Sequence, residues 1–335
     1  MIDELKEIVE LATSLTIITG ELLKLKPNDK DANDDEIIIA NKKNSAQIGS
    51  SGNYAKIGSS GDSAQIGSSG NYAKIGSSGN SAQIGSSGYY AKIGSSGYYA
   101  QIGSSGYSAQ IGSSGNYAQI GSSGYYAQID STGKSSIIAS IGFKDIVKAK
   151  KGSWLTLAEY KRDENNDWII DFVKTEQVDG EVIKEDTYYT LYNHKFIEVQ
   201  IIDDIKTIIL QRKKNIIKGL FLNDLQACYV VEKDGVFAHG ATLKEAKESL
   251  IYKISDRNED IYKNAYKNYT LDTEVTHEEA IKMYRVITGA CEAGTRYFVE
   301  NVFTEKKEKY TVKEIIKLTK GQYGNETLKE FMENK

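Results

Sequence analysis

The chain has 335 residues, 26% of them charged and 40% hydrophobic, with a net charge of −4 and two cysteines, Cys228 and Cys291. This balance excludes wholesale disorder, and the small net charge excludes both a strong whole-molecule attraction for nucleic acid and the dense negative charge of a DNA mimic. Two thiols suit a reducing compartment without a disulfide framework, so both are expected to be free.

The N-terminus, Met1-Ile2-Asp3-Glu4-Leu5-Lys6-Glu7, is charged where a secretory signal would be basic and then apolar. No apolar run approaches the roughly 20 residues that span a bilayer. The expectation is a protein of the host-cell cytoplasm with no membrane association. Leu5, Val9, Ala12, Leu15, Ile18, Leu22 and Leu25 recur in steps of three or four and predict an amphipathic helix over residues 1–26. It either caps the repeats downstream or joins protomers into a homo-oligomer. Residues 27–36, with Pro27 and several Asn and Asp, have linker composition.

From Ser45 to Ile129 a nine-residue unit recurs ten times, as in Tyr54-Ala55-Lys56-Ile57-Gly58-Ser59-Ser60-Gly61-Asp62. Ala55 and Ile57 lie two apart, which places both on one face of a strand and Tyr54 and Lys56 on the other. Gly-Ser-Ser-Gly is expected to make the turns, with glycine reaching positive φ. Nine residues cannot enclose a core, so two units make a coil. Ser and Tyr alternate before the alanine in the first six copies, and Gln and Lys after it, which gives the variation a period of eighteen residues. These features predict a parallel β-solenoid over residues 37–142, with five coils from the ten copies.

The pattern decays through Ser135-Ser136-Ile137-Ile138-Ala139 and Gly142-Phe143. Apolar stretches at Trp154–Tyr160, Trp168–Val173, Glu181–Ile183 and Tyr188–Leu191, separated by turn residues, predict an antiparallel β meander over 143–212 that caps the solenoid. Residues 213–335 read as an α+β recognition domain. Asp234-Gly235 marks a hairpin, and Thr242 with Glu245, Thr276 with Glu279, and Thr311 with Glu314 mark three helix starts. Ala280, Tyr284, Ile287 and Cys291 form one buried helix face, while Gly289 and Gly294 suit close packing or a break. The fold class is mainly β with a C-terminal α+β domain.

Little of this points to catalysis. Calcium-binding nonapeptides need a recurring Asp, and here Asp62 is alone at its position. The glycines lack the Gly-Lys-Ser/Thr ending of a phosphate loop. His194, His239 and His277 have no second ligand at metal spacing, and Cys228 with His239 has no orienting third group. No enzyme activity, metal or cofactor is expected. The suggestive surface is a pair of ladders at eighteen-residue spacing, Tyr54, Tyr72 and Tyr90 beside Lys56, Lys74 and Lys92. It could stack on bases or sugars while meeting anionic groups. The alternative is a solvated face on which the tyrosines pack for stability.

The Ser/Gly repeats, Lys148-Ala149-Lys150-Lys151-Gly152-Ser153-Trp154-Leu155-Thr156-Leu157-Ala158-Glu159-Tyr160, Glu176-Gln177-Val178-Asp179-Gly180 and Ile183-Lys184-Glu185-Asp186-Thr187 resemble an uncharacterised domain of phage and prophage accessory proteins. In that family a nonapeptide solenoid precedes a short strand segment, and the resemblance covers roughly residues 41–199. Ala227 to Tyr252 is more weakly similar to the strand-strand-helix of small antitoxin-like folds. The resemblance implies a non-enzymatic phage-derived binding protein that acts by protein-protein contact on a host bacterial protein or protein-nucleic acid complex, and it permits an inhibitor of a defence system such as CRISPR. A virion or assembly protein using the solenoid as a spacer is the second reading, and an uncharacterised enzyme in the C-terminal domain is the third.

Overall fold

The computed structural model describes residues 38–254, 266–290, 295, 299 and 307–333. The expected N-terminal helix and linker, together with Cys291 and Gly294, lie outside the described residues. The chain divides into two compact units, with the boundary between Val199 and Gln200.

In the first unit short strands begin nine residues apart: β1 Ile38–Asn41, β2 Gln47–Ser50, β3 Lys56–Ser59, β4 Gln65–Ser68, β5 Lys74–Ser77, β6 Gln83–Ser86, β7 Lys92–Ser95, β8 Gln101–Ser104, β9 Gln110–Ser113, β10 Gln119–Ser122, β11 Gln128–Ser131, β12 Ile137–Ser140 and β13 Ile146–Lys148. From β1 to β11 each pairs in parallel with the strand eighteen residues on, Ile57 beside Ile75 and Ile66 beside Ile84. Odd and even strands therefore form the two walls of a β-solenoid with eighteen residues per coil. Ala55, Ile57, Ala73, Ile75, Ala91 and Ile93 are fully buried between them. Each isoleucine contributes about 2 kcal/mol by leaving water.

There are about seven coils rather than five. β1, β12, β13 and the start of β14 (Trp154–Arg162), which pairs in parallel with β12, all continue the walls. These strands lack Gly-Ser-Ser-Gly and keep only the inward residues Ile39, Ile138, Val147 and Leu155, all buried. At about 4.8 Å per coil the rod is on the order of 30 Å long.

The turn chemistry also differs from expectation. The first Gly and Ser of each Gly-Ser-Ser-Gly end the strand, and positive φ falls on the residue before alanine: Ser45 (58°), Tyr54 (59°), Ser63 (56°), Tyr72 (58°) and their equivalents. A hydrogen bond between coils holds this strained corner, since Tyr54 N–H donates to Asn71 O at 2.8 Å and Ser63 N–H to Asn80 O at 2.7 Å. The second glycine is needed for another reason. A Cβ on Gly61 would lie 2.1 Å from the Lys43 carbonyl oxygen of the neighbouring coil. Asp62 is likewise a rung. Its Oδ1 accepts from Asn80 N–H at 2.7 Å, as Asn53 Oδ1 accepts from Asn71 N–H.

The cap is two extensions rather than one meander. β14 continues past the solenoid and pairs antiparallel with β15 (Trp168–Gln177), with a bulge opposite Glu159 and Tyr160. β16 (Tyr188–Tyr192) and β17 (Lys195–Ile202) form a hairpin through Asn193 and His194, both at positive φ, and β16 joins β13. Glu181–Ile183 is not a strand. It is a turn in which the Asp179 carboxylate accepts three backbone N–H groups, from Glu181, Val182 and Ile183, and these hold its pKa below the usual carboxylate value.

In the second unit β18 (Ile205–Lys213), β19 (Ile216–Phe221), β20 (Ala227–Lys233) and β21 (Val236–Gly240) pair antiparallel in chain order, with the expected Asp234-Gly235 turn. Helix α1 (Leu243–Ile254) packs on β20 and β21 through Ala246 and Leu250. Beyond it β22 (Glu274–Thr276) pairs with β23 (Lys309–Thr311), leading into α2 (His277–Thr288) and α3 (Val312–Leu318), with α4 (Asn325–Glu333) last. All three expected caps form: Glu245, Glu279 and Glu314 N–H each donate to the threonine three residues earlier, at 3.2 Å. Of these, Glu314 completes the capping box by accepting from Thr311 N–H at 2.9 Å. Ala280, Tyr284 and Ile287 pack in one cluster, and Gly289 ends α2 in the left-handed conformation.

Candidate functional site

Tyr54, Tyr72 and Tyr90 form a column on one corner of the solenoid. Successive ring centroids lie 5.0 and 5.1 Å apart and nearly parallel. The rings are 49%, 44% and 44% exposed. Because they stack along the rod, the ring faces of Tyr72 are covered by its neighbours, and edges and hydroxyls point to solvent. Burial among like phenols raises the pKa of Tyr72 and Tyr90 above the ordinary tyrosine value.

Lys56, Lys74 and Lys92 also align in register. They do not share a strand face with the tyrosines as the alternation suggested. The tyrosines sit at the left-handed corner before the strand, and the lysines open the strand itself. The lysines are half-buried, and Lys56 and Lys92 already engage other groups of the chain. The structure thus brings both ladders to adjacent columns, with the tyrosines the more accessible.

The tyrosine column is longer than the three rings that the repeat spacing identifies. Tyr107 meets both Tyr89 and Tyr90, at 6.1 and 5.9 Å. Tyr126 meets Tyr107 at 5.4 Å, and Phe143 meets Tyr125, Tyr126, Tyr160 and Trp168 at 4.5–5.8 Å. Arg162 lies over the Trp168 ring at 4.1 Å. Aromatic contacts therefore run unbroken from Tyr54 to the β14–β15 hairpin. Tyr107 ends its copy just before Ser108, the position eighteen residues after Tyr90, so strict eighteen-residue arithmetic passes over it. A second stack, Tyr99 on Tyr117 at 5.1 Å, occupies the equivalent corner of the other wall.

The histidines lie in three separate places. His194 Nε2 meets Asp171 Oδ2 at 3.1 Å and its ring stacks on Phe172. His277 packs beside Tyr310. His239 is fully buried, with Nε2 2.9 Å from Thr207 Oγ1, and opposes Val230 across the hairpin. Burial, helped by nearby Lys253, pulls its pKa down to about 3. Cys228 is a free, buried thiol whose pKa burial pushes up to about 12, the opposite of an activated nucleophile. Lys253 forms a buried ion pair with Asp203 and donates to Phe237 O at 2.8 Å. Among the described residues no group of three His, Cys, Asp or Glu side chains could hold a metal ion, and no helix is long and apolar enough to cross a membrane.

Comparison with family models, with curated proteins and with solved structures finds no match to this chain.

Proposed function

We infer that this is a non-enzymatic binding protein that engages a protein partner through the tyrosine corner of its solenoid. The observation that carries this reading is the aromatic column from Tyr54 to Trp168, in which Tyr54, Tyr72, Tyr90, Tyr107 and Trp168 are exposed and Phe143 is the buried joint, flanked by Ser, Asn and Gly. Tyr, Ser, Gly and Asn are the residues of binding loops, because tyrosine offers a large amphipathic contact at low entropic cost. Trp168 beneath Arg162 adds the residue types that dominate interface energetics. The ladder of Lys56, Lys74 and Lys92 lies alongside and contributes charge to a partner with an acidic rim. The resemblance to phage accessory proteins is compatible with a partner in the bacterial host, and it permits a defence complex such as CRISPR.

The test uses a substitution the fold already contains. Ser45, Ser63 and Ser81 occupy the equivalent left-handed corner of the other wall, with φ of 55–58°. The full chain and a Tyr54→Ser, Tyr72→Ser, Tyr90→Ser variant are used as baits in host lysate. A stoichiometric partner captured by the first and lost by the folded variant supports the reading. A partner retained equally by both moves the contact elsewhere, and recovery of phage structural proteins favours the spacer reading, which the rod of about seven coils also suits.

A further inference from the structure

We propose that strand β15 is a homodimerisation edge, pairing antiparallel with β15 of a second copy across a two-fold axis at the Ile170–Asp171 peptide. β15 is the last strand of its wall, and among the described residues none pairs with its outer edge. Unpaired backbone groups on such an edge invite another strand. Charge on the strand is confined to Asp171, which pairs with Lys161 and His194, and to Lys174 and Glu176, which pair with each other, while Trp168, Ile169, Ile170, Phe172 and Val173 are all exposed.

The bulge explains why both faces are apolar. Trp168 opposes Arg162, Ile170 opposes Tyr160 and Val173 opposes Ala158, so these three share one face. Ile169 opposes Lys161 and Phe172 opposes Glu159 on the other. Asp171 is the extra residue that shifts the phase. A helix docking on one face would leave the opposite set in water. A strand added at the edge covers both.

The occupant follows from self-complementarity. With the axis at the bulge, Trp168 lies opposite Val173 of the second copy and Ile169 opposite Phe172, each pair on matching faces. Asp167 then stands beside Lys174 at both ends, an opposite-charge pair made twice. Registers that avoid the bulge leave part of the apolar set unpaired. Isologous pairing of this kind closes at two copies rather than growing into a filament.

The experiment is sedimentation equilibrium on the full chain and four variants, with circular dichroism confirming that each is folded. The wild type sediments as a dimer. Ile169→Lys with Val173→Lys gives a folded monomer. Asp167→Lys alone and Lys174→Asp alone each weaken the dimer by about tenfold, because like charges then face each other twice, and the double exchange restores it. A monomeric wild type overturns the proposal. So does a dimer that survives Ile169→Lys with Val173→Lys, or single charge variants that the double exchange does not rescue.

Discussion

A Cβ placed on Gly79 would stand 2.0 Å from the carbonyl oxygen of Gly61, eighteen residues earlier in the neighbouring coil. Backbone meets backbone there, so nothing flexible can yield. Around Gly85, which ends no turn and lies on the open outer face of its strand, a Cβ would meet nothing within 4 Å. Gly79→Ala is therefore expected to destabilise the solenoid by about 3 kcal/mol or more, and Gly85→Ala to change stability by no more than about 0.5 kcal/mol. Urea unfolding of the two variants tests this, and equal losses would refute the close-approach argument.

Serine inside the rod behaves differently from serine at its corners. Among the described residues Ser77 Oγ is buried with no hydrogen-bond partner, as are Ser59 Oγ and Ser95 Oγ in the same column. An unsatisfied buried hydroxyl costs free energy, so Ser77→Ala is expected to be neutral or to stabilise by about 1 kcal/mol. A clear loss in the unfolding midpoint would mean that the hydroxyl is bonded in solution.

Tyr72 contacts Tyr54 and Tyr90, and each stacked pair is worth about 1 kcal/mol beyond burial. Tyr72→Ser should cost about 2 kcal/mol, while Tyr72→Phe should change little. The raised Tyr72 pKa sets a sign for alkaline pH. The folded column holds its proton more tightly than the unfolded chain, so its contribution is complete below about pH 10 and falls as pH rises beyond it. A melting series from neutral to alkaline pH should show Tyr72→Phe declining less steeply than the wild type.

His239 gives the acid limb. With a folded pKa of about 3 against an unfolded value near 6.5, the unfolded chain binds the extra proton between these limits, and stability falls as pH drops through that window. From pH 7 to pH 4 this amounts to about 3 kcal/mol. Replacing His239 by Gln should remove that part of the pH dependence. Parallel acid melts of the two proteins would settle it, since identical slopes mean that His239 already titrates near its ordinary value when folded.

Much of this architecture was legible in the residues. The two-residue spacing of Ala55 and Ile57 names the buried face, and the alternation of Ser with Tyr and Gln with Lys names the coil. Asp234-Gly235 and the three Thr/Glu pairs mark elements that form from local hydrogen bonds. The degenerate coils were harder. Ile38-Ile39-Ala40-Asn41 and Trp154-Leu155-Thr156-Leu157 satisfy only the inward positions, and a neighbouring coil supplies the remaining order through its backbone ladder. The aromatic column was legible only in part, because Tyr107 and Phe143 join it from positions off the repeat.

The residues alone specify that Ala55 and Ile57 are buried and that two nonapeptides close a coil, because strand alternation depends on neighbours along the chain. Coil stacking is what makes Gly61 and Gly79 serve close approach rather than positive φ, buries Ser59 and Ser77, sets Tyr54 and Tyr72 at the left-handed corner, and turns their rings to face one another. Those outcomes depend on the distance between backbones eighteen residues apart, which arises only when the coils stack.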